Sequence, residues 1–123
     1  MHKQVCVKVN AMVDKEIAPL VEALNMIDGL ETFESCQDWF SDKTNRACIY
    51  FHYGYDYYDW HALSEICFQI SSIFKQTKAE YVSVMVEWSA SNDIPRGKIF
   101  VNLDEIEEVT KAIKELAISI STS

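Results

Sequence analysis

Cations are scarce in this chain: 11 Lys and Arg stand against 19 Asp and Glu, a formal net charge of -8. Such a balance repels polyphosphate, so charge alone disfavours generic nucleic-acid binding. The middle-chain cations Lys43, Arg46, Lys75, Lys78, Arg96 and Lys98 are not clustered along the sequence. Glycine is scarcer still, with 3 residues isolated at turns, which excludes a glycine-rich phosphate loop. No two cysteines have the C-x-x-C spacing that marks a zinc site or a redox dithiol. No apolar run approaches the length of a membrane span. Met1-His2-Lys3-Gln4 leads directly into a strand pattern with no apolar signal region. The expectation is a cytoplasmic protein with Cys6, Cys36, Cys48 and Cys67 all reduced.

What is present is an apolar half with helical and strand periods. At 123 residues, the chain is expected to form a single domain over 1–123. Val5, Val7 and Val9 alternate as a strand, and Ile17, Leu20, Val21, Leu24 and Ile27 recur as a helix face that Asn10 or Asp14 would cap. Asp28-Gly29 ends that helix, and Leu30 to Glu34 alternates as a strand into Ser35-Cys36-Gln37. Asp38 to Arg46 reads as an exposed loop carrying Trp39 and Phe40. Ala47 to Tyr53 is a strand with Ile49, Phe51 and Tyr53 on one face and Cys48, Tyr50 and His52 on the other. After Gly54, Asp56 or Asp59 would cap a helix carrying Leu63, Ile66, Cys67, Ile70, Ile73 and Phe74. Tyr81 to Trp88 reads as a strand, Ser89 to Gly97 as a turn region, and Lys98 to Leu103 as a short strand. Asp104 with Glu107 suggests a capping box for a last helix burying Ile106, Val109, Ile113 and Leu116, before a fraying tail from Ile118. The fold class expected is two-layer α+β, a five-stranded sheet with three helices in the order β-α-β-β-α-β-β-α.

Ser35-Cys36-Gln37 falls where a strand is expected to give way to a loop, a position both held and reachable. Cys36 with His52 as base would support nucleophilic chemistry; the alternative is a half-buried structural thiol. Ser35 would hold an anionic or polar ligand group, with Asp14 and His52 as hydrogen-bond partners, Gln37 beside it and Trp39 as a lid. Cys36, Cys48, His52, His61, Asp56 and Asp59 have suitable donors for zinc, but their spacing fits no metal pattern, so no metal is expected. Tyr55, Tyr57, Tyr58 and Trp60, with Trp39 and Phe40, either pack a helix entry or stack a planar ligand. The acidic set Glu105, Glu107, Glu108 and Glu115 reads as a solvated helix face, with Glu107 and Lys111 paired.

Residues 13–36 resemble the wybutosine-synthesising tRNA methyltransferases. The likeness rests on Asp14, the helix ending in Asn25, and Thr32, Ser35 and Cys36, which match the family's Thr-Thr-Ser-Ser-Cys segment. Gln37-Asp38-Trp39 stands where the family has Ser-Gly-Arg. The resemblance implies an α+β fold, S-adenosylmethionine as cofactor and tRNA as partner. Three functions are expected: a ligand-binding domain with its pocket near Ser35-Cys36, a tRNA-modifying methyltransferase, or a protein-interaction module, such as a homodimer, that uses Trp39, Phe40 or the tyrosine cluster.

Overall fold

The computed structural model describes the backbone of residues 4–8, 16–41, 44–89 and 92–122, and the side chains of residues 16–35, 46–88 and 94–122. Along the chain run β1 (Gln4–Lys8), α1 (Ala18–Asn25), β2 (Leu30–Ser41), β3 (Thr44–Tyr53), α2 (Trp60–Phe74), β4 (Ser83–Ser89), β5 (Asn92–Asn102) and α3 (Ile106–Ser121). A 3-10 turn, Leu103–Glu105, leads into α3.

The expected five-stranded, β-first, two-layer arrangement needs correction. The layer that carries the helices is a four-stranded antiparallel sheet, β2-β3-β5-β4, and its elements follow one another as α-β-β-α-β-β-α. β1 joins only as a backbone ladder on the outer edge of β2, at Glu34 to Asp38, and the three helices pack on β2 to β5. The physical reason is length. β2 extends well past the Ser35 expected to end it, so its second half overhangs the helical layer and gives β1 an edge to pair with.

Period two on β3 sorts the layers. Ala47, Ile49 and Phe51 are buried under the helices, while Cys48, Tyr50 and His52 point to the opposite face. α3 lies between α1 and α2, and contributes Val109, Ile113 and Ala117 to the core. α2 contributes Leu63, Ile66, Cys67, Ile70 and Phe74, the set its helical spacing predicts apart from Ile73, which is only partly buried.

Asp59 caps α2 by accepting from the Ala62 N–H at 3.1 Å, and Pro19 sits in the first turn of α1. α1 begins at Ala18 with no side-chain cap; Asn10 and Asp14 lie outside the described residues. Its far end is tied down by Asn25. That side chain donates to the Val21 carbonyl (2.8 Å) and Thr32 Oγ1 (2.7 Å), and accepts from the Thr32 N–H (3.0 Å). The clamp sits next to a bulge at Phe33, where β2 carries one residue more than β3.

Further expectations are corrected. Asp38 to Arg46 is no open loop, because β2 and β3 stay paired out to Ser41 with Thr44. The region expected to turn at Pro95-Arg96-Gly97 belongs to β5, which begins at Asn92. Pro95 is tolerated there because it lies beyond the last β3 pair and within the β4–β5 register shift, where a missing N–H leaves no ladder bond unmade. Gly97 has a packing reason rather than a conformational one: a Cβ on it would lie 2.2 Å from the buried Phe51 ring.

At the start of α3, the capping box does not form. Asn102 accepts from the Asp104 N–H, and the first-turn acids turn to the α2–β4 connection instead. Glu105 accepts from the N–H groups of Glu80 (2.7 Å) and Tyr81 (2.9 Å), and Glu108 from that of Lys78. These two are therefore crosslinks between loop and helix, not a solvated face. Among the described residues, Glu107 and Lys111 form no ion pair. The segment expected to fray from Ile118 is helical through Ser121.

Gly97→Ala is expected to lower stability by roughly 1–3 kcal/mol through overpacking against Phe51. Urea denaturation checks this, and an unchanged midpoint would show that the ring can move aside.

Candidate functional site

Cys36 and His52 are not brought together. Cys36 pairs with Cys48 across the β2–β3 ladder, while His52 lies four residues further along β3, opposite Glu31. At about 3.3 Å per residue the two backbones are separated by roughly 13 Å, beyond the reach of a direct thiol–imidazole hydrogen bond. Ser35 is only 2% exposed, in mid-strand and opposite Ile49 on the helix-covered face. Gln37 and Trp39 continue β2 opposite Ala47 and Asn45, and their side chains lie outside the described residues, as does all of Asp14. Among the described residues, no three His, Cys, Asp or Glu side chains converge as metal ligands.

The face of the sheet away from the helices carries two side-chain groups. In the first, Tyr50 is buried beneath the Arg96 guanidinium, 4.1 Å above its ring, and Lys98 Nζ lies 5.1 Å from the Tyr50 ring and 4.6 Å from Phe100. Glu87 takes up both cations: it accepts from Arg96 Nε at 2.9 Å and from a second guanidinium nitrogen, and from Lys98 Nζ at 3.4 Å. The Arg96 hydrogen bond holds the Glu87 carboxyl below its usual range despite its partial burial. Burial pushes the Tyr50 phenol up, opposed by its hydrogen bond with Lys98. One carboxylate is thus shared between the two cations.

In the second group the His52 imidazole is sandwiched between Phe33, 4.2 Å away at 8°, and Tyr57, 4.5 Å away at 18°. Tyr57 donates its hydroxyl to Glu31 Oε2 at 3.0 Å, which raises its pKa. Nδ1 of His52 is buried without a hydrogen-bond partner among the described residues. Burial pushes the imidazole below its ordinary value, offset in part by the Pro95 backbone and the Glu31 carboxylate.

Beside this stack opens a groove of about 640 Å³, lined by Asn25 to Glu31 from the α1–β2 turn and by Tyr53, Gly54, Tyr55 and Tyr57 from the β3–α2 turn. Its two rims are joined by one backbone bond, from the Gly54 N–H to the Gly29 carbonyl at 2.9 Å. Both glycines have positive φ, 87° and 89°, so a side chain at either position would be strained. Tyr53 packs beside Gly29, and burial together with the nearby Asp28 and Glu65 raises its phenol pKa. Sequence reasoning singled out Tyr55 and Tyr57 but read Gly29 and Gly54 only as terminators, and it missed Glu31 and Asp28. The available signal was two glycine turns with alternating tyrosines at 53, 55 and 57.

Comparison with protein-family models, curated proteins and solved structures yields no match to this chain. No helix among the described residues is long and apolar enough to cross a membrane.

Because the folded state favours neutral His52, the unfolded chain binds more protons as the pH falls through the ordinary value of 6.5. The histidine's contribution is full above that pH and declines below it. The Glu87 contribution is present above the ordinary 4.5 and is lost at lower pH. His52→Phe keeps the stack, and should flatten the stability profile between about pH 7 and pH 5 while leaving the acid limb. Denaturation midpoints across that range check it; an unaltered slope would mean that His52 does not carry it.

Proposed function

We propose that this protein is a binding domain for a small organic cation, held in the groove between the Gly29 and Gly54 turns. The observation that carries this reading is the lining: Tyr53, Tyr55 and Tyr57 with Asp28 and Glu31, and no Lys or Arg among the described lining residues. Tyrosine faces attract an ammonium or sulfonium group, and a carboxylate balances its charge. The raised phenol pKa values of Tyr53 and Tyr57, each with a carboxylate contributing, support a negative local potential. The groove's size is in the range of small-molecule sites.

S-adenosylmethionine, which the resemblance implies, belongs to this ligand class, since it joins a sulfonium to a planar base. Transfer to tRNA has less support, because no cation among the described residues lines the groove to meet phosphates. The homodimer reading rests on another feature, the edge strand β4 with Met85 44% and Trp88 57% exposed. Sedimentation of the intact protein tests that reading, and a monomer at all concentrations counts against it.

Calorimetry should show choline and S-adenosylmethionine binding, while 3,3-dimethylbutan-1-ol, the neutral isostere of choline, does not bind. Tyr55 is 110% exposed, so Tyr55→Leu leaves the fold alone and should weaken choline about five-fold. Glu31→Gln keeps an acceptor for Tyr57 but removes the charge, and should weaken it as well. Equal binding of the neutral alcohol, or no binding of any probe, would overturn the reading.

A further inference from the structure

β4 ends the strand order β1-β2-β3-β5-β4, and among the described residues no strand pairs with its outer side. Alternate residues along β4 therefore direct their backbone N–H and C=O groups away from β5, a row that another strand can complete. Edges that stay unpaired are blunted by lysine, proline or an inward-pointing charge. Ser83-Val84-Met85-Val86-Glu87-Trp88-Ser89 has no lysine and no proline. Its single charge, Glu87, is turned to the open face and held by Arg96 and Lys98. Val84 and Val86 pack on the core only in part, while Met85 and Trp88 stay well exposed.

The strand is also complementary to itself. A two-fold interface sets each residue of one copy against a residue of the other, and the same pair recurs in reverse. Directly opposed residues in an antiparallel pair share a face. With the axis at Val86 the whole of β4 is paired: Val86 meets the partner's Val86, Val84 meets the partner's Trp88, and Met85 meets the partner's Glu87. The pairs on the valine side are then apolar, and the one carboxylate never meets its own copy. An axis at Glu87 would oppose the two carboxylates, and an axis at Met85 would leave Trp88 and Ser89 outside the paired strand. We infer that β4 is a homodimer interface in which two copies join edge to edge, antiparallel and centred on Val86, with both helical layers on one side of a continuous sheet. This rests on the homodimer reading of β4 and supplies its register. No residue of β4 lines the cation groove, so the two sites are separable.

Sedimentation equilibrium of the full chain gives the dimer dissociation constant, and amide hydrogen exchange at low and high protein concentration locates the interface. The parent should dimerise, with the outward-facing amides of β4 gaining protection as concentration rises. Met85→Glu sets a carboxylate against the partner's Glu87 twice in each dimer, whereas within its own chain it is opposed to Lys98. It should therefore keep the fold and raise the dissociation constant about ten-fold or more. Met85→Lys sets a cation against the same carboxylate, and should hold the parent's constant within about three-fold. A parent that is monomeric at all concentrations would overturn the homodimer reading and this register together. A dimer on which the two variants act alike, or one whose β4 amides gain no protection, would overturn the inference while leaving the homodimer reading standing.

Discussion

The Phe51 ring resting over Gly97 is the contact on which the rest of the sheet depends. Phe51 is on β3, fully buried, and its neighbour on β5 has no side chain because the ring fills that space. The pairing fixes the β3–β5 register, and with it the outward direction of Arg96 and Lys98. They can then lie over Tyr50 and share Glu87. One step further along β3, His52 must face outward and Tyr53 inward, and the chain leaves the sheet at Gly54. A slip of one residue would turn Phe51 out to solvent and Tyr50 into the core. The groove thus inherits its position from a packing constraint further along the sheet.

The two faces differ in how they handle polarity. Among the described residues, the buried polar side chains are Thr32, Ser35 and Thr110, and Asn25 satisfies Thr32 from the end of α1. The open face puts two cations over aromatic rings and shares one carboxylate, Glu87, between them. Among the described residues, the carboxylates at the groove end form no ion pair. Asp28 and Glu31 border tyrosines, and Glu31 holds only the Tyr57 hydroxyl among the described contacts. An acidic chain that leaves carboxylates bordering a groove has the local charge that the proposed cation site requires.

Much of the scaffold was legible because period two and period 3.6 are properties of burial. The alternation from Cys48 to Tyr53 and the apolar spacing of α2 survive in the structure. Pro95 and Gly97 misled because local chemistry reads them as a turn, whereas tertiary packing beside Phe51 and a register shift make both acceptable in a strand. Ser35 misled in a similar way. A polar Ser-Cys-Gln run suggests a strand end, yet β2 continues to Ser41 with its partner beside it. Glu105 and Glu108 read as solvated because their acceptors' partners, backbone amides of the preceding connection, have no sequence signature. The groove was half visible: its tyrosines stood out by composition, but the bond between Gly29 and Gly54 joins turns that are distant in sequence.

The central claim, that this groove receives an organic cation, is tested most directly by nuclear Overhauser contacts from the methyl protons of bound choline to the protein. The account predicts contacts to the rings of Tyr53, Tyr55 and Tyr57 and to the Gly29 α-protons. Contacts confined to Met85, Trp88 or the Tyr50 face, with none at the groove, would contradict it.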